Sequence, residues 1–185
     1  AGILQHNGYK TGLFTSPHLV DIRERFQIDG QMCGKEEFLT AFSIVEQAVE
    51  KMQKKNLPHP TFFEIIFAIG MVIFARADVE YVVLETGLGG RLDATNAVAH
   101  PILTIITSIS LEHTEYLGDT IVQIAGEKAG IIKPGIPVVY DGTEEAAAAV
   151  IAQRAKELSC PVCEISSQMC KINEIKRNFI DFCLL

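Results

Sequence analysis

The stretch ETGLGGRLDATN at residues 85–96 contains the residue types that phosphate and metal chemistry require. A carboxylate, Glu85, directly follows an apolar run, and three glycines and Asp93 come after it. The glycine spacing matches neither GxxxxGK(S/T) nor GxGxxG, the two common phosphate-binding patterns. A carboxylate at the carboxyl end of a buried strand is where a Walker-B-type acid holds Mg²⁺. The pattern therefore predicts that Glu85 binds a metal ion, and a plain glycine turn is the alternative.

Three further polar residues stand where chemistry is expected. Ser16, in TSPHL, follows an apolar run, and its hydroxyl could ligate Mg²⁺ or belong to a Ser-Pro turn. His113 follows another apolar run; a lone histidine is usually a bystander, but this position favours a ligand. Lys128 lies in a largely apolar helical pattern. A buried lysine can lose its proton and take up carbon dioxide as a carbamate, although the residues alone favour an amine that reaches water.

Two other patterns indicate weaker possibilities. Arg23 and Arg25, in DIRERF, are possible anion contacts, although such a pair is usually a solvated face. Cys160 and Cys163 have the CxxC spacing of a zinc or redox module. No second CxxC and no nearby histidine pair complete a zinc site, so coincidence is the favoured interpretation of this spacing.

The elements that must position these residues alternate along the chain. Apolar runs predict strands, and three-to-four spacing of apolar residues predicts helices. This alternation predicts an α/β fold, with a mostly parallel sheet covered by helices on both faces. Ligands of such sheets bind at the carboxyl ends of the strands. The predicted strands are 11–15, 79–86, 102–109, 136–141 and 160–166, and the predicted helices are 35–55, 61–77, 120–132 and 144–158.

Composition excludes some classes of protein. The 185 residues are 48% hydrophobic and carry a net charge of -7, which argues against a nucleic-acid partner. The longest apolar run, 62–75, is shorter than the roughly 20 residues of a membrane span. It contains Glu64, so we interpret it as a buried helix and expect no membrane partner. Five cysteines without a regular framework are typical of reduced thiols in the cytoplasm.

The ends of the chain suggest a piece of a longer protein. Residue 1 is not Met, and AGILQHNGYK reads as the end of a helix followed by a glycine turn. The last residues, NFIDFCLL, form an apolar run. No GxxxxGK(S/T) occurs in residues 1–185. We therefore expect an internal fragment, cut just after a phosphate loop.

Four motifs together resemble one family. GYKTGLFTSPHL, TFFE, ETGLGGRLDATN and HTEYLGDTIVQIAGEKAGIIKPG occur in the order and spacing of the folylpolyglutamate synthase and dihydrofolate synthase family, within the Mur ligase superfamily. The resemblance covers nearly all of residues 8–140. It implies that 1–185 is part of a P-loop NTPase-like central domain. The family's P-loop, GTNGKGS, would precede residue 1, and its C-terminal Rossmann-like ligase domain would follow.

The resemblance also implies an activity. Members use ATP and Mg²⁺ to activate a carboxylate of folate or dihydropteroate as an acyl phosphate. The amino group of L-glutamate then attacks, which gives an amide, ADP and phosphate. The implied parent enzyme is monomeric and cytoplasmic. The alternative is a non-catalytic nucleotide- or pterin-binding module of the same fold, because this chain lacks the P-loop.

Site residues are implied by the same motifs. Ser16, Glu85 and His113 match the magnesium ligands, and His113 is also implied in catalysis. Lys128 matches the lysine that is carbamylated in the family, which reverses the choice made from the residues alone. Glu112 departs from the aspartate that usually precedes the metal-binding histidine, and its longer arm would shift the geometry around the metal. The residues that match pterin-substrate contacts are Thr61, Phe62, Phe63, Glu64, Leu92, Asp93 and Ala94.

Overall fold

The computed structural model describes residues 1–166, 169–176 and 179–184. The chain divides into two compact units. The first comprises Ala1–Leu88 with Asp93–Ala97, and the second comprises Gly89–Leu92 with Val98–Leu185. Each unit buries its own cluster of apolar side chains.

The first unit is a four-stranded sheet with two long helices. Its strands lie in the order β3-β2-β1-β4, in which β1 pairs with β4 in parallel and with β2 antiparallel. The parallel register aligns Phe14 with Leu84, so β1 and β4 end side by side. The strands are β1 (Thr11–Phe14), β2 (Phe26–Ile28), β3 (Gln31–Met32) and β4 (Tyr81–Leu84), and the helices are α1 (Gly2–His6), α2 (Lys35–Lys54) and α3 (Phe62–Ala77).

The core of the first unit lies where α3 packs on the sheet. Phe14, Phe26 and Phe74 are almost completely buried. Gly70 of α3 lies against two of these rings: a Cβ placed on it would lie 3.2 Å from Phe14 and from Phe26. Each buried side chain of this size stabilises the fold by about 1.5–3 kcal/mol relative to exposure. Aromatic packing on α3 thereby fixes the end of β1.

The predicted buried helix at 61–77 is confirmed as α3. Thr61 caps its first turn, and Asp78, with a positive φ of 53°, ends it. The apolar sequence of α3 is explained by its packing, because Ile66, Ile69, Ile73 and Phe74 are buried in the core of the first unit. None of the helices in the described part of the chain combines the length and hydropathy of a membrane span.

The second unit contains a three-stranded, wholly parallel sheet. Its residues alternate between faces, so Ile106, Val138 and Tyr140 point into the core. The side chain of Ile124 on α5 is fully buried in the same cluster, and α5 packs against α6. The elements are β5 (Thr104–Ile106), α4 (Thr114–Leu117), α5 (Ile121–Ala129), β6 (Val138–Asp141), α6 (Glu145–Glu157), β7 (Val162–Ile165), and an antiparallel hairpin of β8 (Cys170–Lys176) and β9 (Phe179–Leu184).

The α/β class with parallel strand pairs is confirmed, and each predicted strand and helix is present in shortened form. The β2–β3 hairpin was not predicted. Its signal is the pair Asp29-Gly30, both of which have positive φ, as a two-residue hairpin turn requires. The antiparallel hairpin of β8 and β9 was also missed, although the run 179–184 was recognised as apolar.

Candidate active-site residues

Ser16 and Glu85 lie together at the ends of two neighbouring parallel strands. Glu85 follows β4 directly, and its backbone N–H donates to the carbonyl of Phe14 over 3.0 Å. The backbone N–H of Ser16 donates to Oε2 of Glu85 over 2.8 Å. Among the described residues this is the one hydrogen bond of the Glu85 carboxylate, and the side chain is exposed. One carboxylate oxygen therefore faces outward beside the Ser16 residue.

The loop after Ser16 is held by backbone hydrogen bonds to Glu24. The N–H groups of Leu19, Val20 and Asp21 donate to its two carboxylate oxygens over 2.7–3.0 Å. These donors, that of Leu19 most strongly, lower the pKa of Glu24. Asp21 caps the short 3₁₀ helix that contains Glu24, and D-x-x-E is the sequence signal of this capping box. Neither residue was assigned a role from the sequence, although that signal was present.

Arg25 lies inside the first unit and not on a solvated face, so that alternative is wrong for this residue. Its side chain is almost fully buried, and Nε donates to Nδ1 of His18 over 2.9 Å. Its backbone carbonyl accepts from the N–H of Thr15. Arg23, by contrast, pairs with Asp21 at 2.7 Å. Both arginines therefore hold the loop that carries Ser16.

Asp93 organises the glycine turn of the first unit. Its Oδ2 accepts from the N–H groups of Gly87 and Leu88 over 2.8 and 3.0 Å. Its Oδ1 accepts from the N–H and the hydroxyl of Thr95 over 2.9 and 2.6 Å. A carboxylate accepts about four hydrogen bonds, so the turn itself fills this capacity. The structure thus gives Asp93 a scaffolding task that the sequence did not indicate.

The motifs TFFE and ETGLGG contact each other in the first unit. A Cβ on Gly87 would come within 2.5 Å of the Phe63 ring, so only glycine permits this approach. The exposed Phe62 begins α3 beside it, with 60% of its surface accessible. Two predicted substrate-contact motifs are therefore adjacent, and they offer a free aromatic face.

The remaining predicted substrate contacts differ in their exposure and in whether their polar groups are already hydrogen-bonded. Thr61 and Glu64 satisfy each other as a capping box, with the Thr61 N–H 2.6 Å from Oε2 of Glu64. This N–H and the Thr61 hydroxyl lower the pKa of Glu64. Leu92, in the second unit, is 81% exposed. Ala94 begins the short 3₁₀ helix Ala94–Ala97.

His113 does not lie directly at a strand end, which corrects the sequence interpretation. β5 ends at Ile106, because only Thr104–Ile106 pair with β6. His113 instead precedes α4, with a left-handed backbone at φ 49° and ψ 38°. Such a conformation is uncommon outside glycine, and histidine is one of the residues that adopt it more readily. The imidazole is exposed on the surface of the second unit.

Lys128 lies in the last turn of α5 and forms an ion pair with Glu112. Its Nζ is 3.2 Å from Oε1 of Glu112, and 23% of the lysine side chain is exposed. The lysine is therefore held close to the residue that precedes His113 along the chain. Glu112, the departure from the family pattern, is long enough to make this contact.

Within residues 1–166, 169–176 and 179–184, no three His, Cys, Asp or Glu side chains cluster to hold a metal. Ser16 belongs to none of these residue types. Cys160 donates to the carbonyl of Lys133, and Cys163 is exposed and free, so nothing in their placement supports the zinc or redox alternative.

Replacing Asp93 with Asn is expected to lower the free energy of unfolding by about 1–3 kcal/mol, because an amide cannot accept at both ends of the turn. Denaturation followed by circular dichroism measures this loss. Asp119→Asn is the control: Asp119 is exposed, and its loss should cost less than about 0.5 kcal/mol. Equal stability of the Asp93 and Asp119 variants would show that the four bonds do not hold the turn.

The chain is similar in sequence to known synthases. It is 43% identical over 155 residues to a folylpolyglutamate synthase of Arabidopsis thaliana, covering 84% of the chain and 27% of that protein. It is 43% identical over 160 residues to the dihydrofolate synthase/folylpolyglutamate synthase of Bacillus subtilis, covering 86% of the chain and 37% of that protein. No protein-family model matches the chain.

The chain is also similar in structure to solved FPGS and FolC proteins. A complex of FPGS with AMPPCP and folate superposes with a TM-score of 0.86 at 32% identity, covering 94% of the chain and 42% of that structure. E. coli FolC with DHPP and ADP gives a TM-score of 0.82 at 32% identity, covering 98% of the chain and 41% of that structure.

The fold defines an α/β protein with parallel strand pairs and helices, of the class to which the FPGS and FolC structures belong. The chain spans less than half the length of these relatives. It belongs to the folylpolyglutamate synthase and dihydrofolate synthase family.

Proposed function

We propose that this chain forms part of an ATP-dependent ligase that adds L-glutamate to a carboxylate of folate or dihydropteroate. The observation that carries the proposal is the placement of Ser16 beside the exposed Glu85 carboxylate at the ends of β1 and β4. This is where ligands of parallel sheets bind. The relationship to folylpolyglutamate synthases supplies the substrate class.

The reaction needs two steps, each of which forms one bond and breaks another. An oxygen of the substrate carboxylate attacks the γ-phosphorus of ATP, and the bond to ADP breaks. The amine of L-glutamate then attacks the acyl carbon and loses a proton, while phosphate leaves. Both steps gather negative charge on phosphate oxygens, so positioning and electrostatic stabilisation supply most of the catalysis.

The residues present fit a magnesium ion. Glu85 offers a carboxylate oxygen that no described residue uses, and the half-buried Ser16 offers a hydroxyl beside it. The family resemblance makes His113 and a carbamate on Lys128, both in the second unit, further proposed metal donors. Mg²⁺, when bound, neutralises charge on the phosphate oxygens during transfer. Glu85 and Ser16 would hold and orient it, since the Ser16 N–H donates to the Glu85 carboxylate and the Glu85 N–H donates to the Phe14 carbonyl.

The pterin ring is proposed to bind along the TFFE and glycine-turn motifs. Phe62 presents an exposed ring, and Phe63 packs against Gly87 behind it. Leu92, which is exposed in the second unit, is kept as a separate proposed substrate contact from the family resemblance. Aromatic side chains bind flat heteroaromatic ligands by stacking. Thr61, Glu64, Asp93 and Ala94 shape this surface through the capping box and the turn.

The ligands of related structures support the substrates. One FPGS structure holds AMPPCP and folate, and E. coli FolC holds DHPP and ADP. We extend this to ATP, folate or dihydropteroate, and L-glutamate for this protein, acting as a monomer in the cytoplasm without nucleic-acid or membrane partners.

The test is a ligation assay on the protein as its gene encodes it. We expect ADP release that requires Mg²⁺, L-glutamate and a folate or dihydropteroate, together with a product heavier by one glutamyl group in mass spectrometry. Binding of nucleotide or pterin without turnover would instead identify the non-catalytic module. Turnover that does not depend on L-glutamate would overturn the proposed reaction.

A further inference from the structure

Arg91 and Glu127 form a two-point ion pair across 36 positions of sequence. Arg91 Nε lies 3.1 and 3.2 Å from the two carboxylate oxygens of Glu127, and Nη2 lies 3.0 Å from Oε1. The backbone N–H of Arg91 also donates to the carbonyl of Glu127 over 2.9 Å. Both residues belong to the second unit. Planar guanidinium and carboxylate groups paired in this way fix direction as well as distance.

Two glycines make the close approach possible. A Cβ on Gly90 would lie 2.9 Å from the carbonyl oxygens of Glu127 and Lys128. A Cβ on Gly130 would lie 2.6 Å from Cα of Arg91. The segment Gly89–Leu92 is therefore packed backbone to backbone against the end of α5.

The end of α5 is the part of the helix that most needs support. The helix has nine residues, and Lys128 is its second-last residue. Carbonyls of a last turn lack partners within the helix, so short helices fray there. The Glu127 carbonyl accepts from the N–H of Gly130 over 3.3 Å and, from outside the helix, from the N–H of Arg91 over 2.9 Å. The positive guanidinium suits the negative end of the helix dipole.

We propose that Arg91 and Glu127 are positioning residues that lock the last turn of α5 and so fix the point on the helix from which the Lys128 side chain extends. Glu127 and Lys128 are consecutive, so a backbone held at Glu127 also fixes the direction of the Cα–Cβ bond of Lys128. The lock itself is a property of the second unit, while its effect on turnover rests on the proposed ligase function.

Two measurements separate the lock from its consequence. Hydrogen exchange at the amides of Glu127–Ala129 reports the lock directly. In Arg91→Ala we expect these amides to exchange about tenfold faster, while amides in the middle of α6 are unchanged. In the ligation assay the same variant is expected to lose about 10- to 100-fold in kcat with little change in KM for ATP, since misplaced groups mainly affect the chemical step.

Three further variants test whether the geometry of the ion pair, and not the charge of Arg91 alone, is responsible. Arg91→Lys keeps the charge but not the two-point geometry, so it should fall between the parent and Arg91→Ala. The exchanged pair Arg91→Glu with Glu127→Arg should recover much of the kcat lost by either single change. Arg154→Ala, which breaks an exposed ion pair on α6, should alter neither the exchange of α5 nor kcat.

The lock, the positioning role and the proposed function are contradicted by different outcomes. Unchanged exchange in Arg91→Ala overturns the lock, whatever the activity. Faster exchange with parental kcat in an active protein overturns the positioning role. A parent protein that carries out no ligation refutes the proposed function, and the exchange measurement then still decides whether the lock exists.

Discussion

Glu85→Gln is expected to reduce Mg²⁺-dependent amide formation by about 10²-fold or more, because a preorganised charge at the transferring phosphate contributes on that scale. The amide oxygen of glutamine can still accept from the N–H of Ser16, so the bond that ties the two strand ends survives. Only the negative charge is removed. ADP release and glutamylated product, measured across a Mg²⁺ titration, report the loss.

The same strand provides a matched control. Glu80 precedes β4, and its Oε2 accepts from the backbone N–H of Lys10 over 2.8 Å, the same bond that Glu85 makes with Ser16. It lies at the amino end of the strand, where ligands of parallel sheets do not bind. Glu80→Gln should therefore keep parental turnover. Near-normal turnover in Glu85→Gln would reject Glu85 as a ligand, and equal losses in both variants would point to a structural cause.

Lys128→Ala is expected to lower kcat by about 10- to 100-fold, the usual effect of removing a group that orients a metal site. Added acetate or formate should recover part of this loss, because a short carboxylate can occupy the space of the missing carbamate. In the parent protein, carbon-13 NMR after exposure to labelled bicarbonate should show a carbamate signal that is absent in the variant.

A second substitution distinguishes the carbamate from the ion pair. Lys128→Arg keeps a cation that can reach Glu112, but a guanidinium does not form the carbamate. It should lower kcat as much as Lys128→Ala does. Parental activity in Lys128→Arg would show that the positive charge, and not a carbamate, is what the site uses. Lys156→Ala, on the exposed side of α6, is the control for loss of a lysine.

Local sequence patterns predicted the helices and strands. The rule that ligands bind at the carboxyl ends of parallel strands predicted that Ser16 and Glu85 lie close together. Ser16 and Glu85 could be paired from the sequence because both follow apolar runs, and parallel neighbours end at one edge. His113 was placed too close to its strand, since an apolar run does not reveal where pairing stops: Ile109 is buried but lies outside β5. Burial and strand pairing are different properties that give the same pattern.

Contacts between residues far apart in the chain could not be predicted from the sequence. Arg91 and Glu127 are 36 residues apart, and nothing in either neighbourhood indicates that their side chains meet. Glu24, by contrast, could have been found from D-x-x-E, and the Asp29-Gly30 turn from its dipeptide. Short-range motifs carry their own geometry, while tertiary ion pairs depend on how whole elements pack.

The four hydrogen bonds of Asp93 have a consequence for ligand affinity. A loop that becomes ordered only when a ligand arrives subtracts its lost conformational entropy from the binding free energy. The turn from Gly87 to Thr95 is already ordered by its own carboxylate. Folding therefore bears that entropic cost, and a ligand that reaches Phe62 meets a surface whose shape does not depend on its arrival.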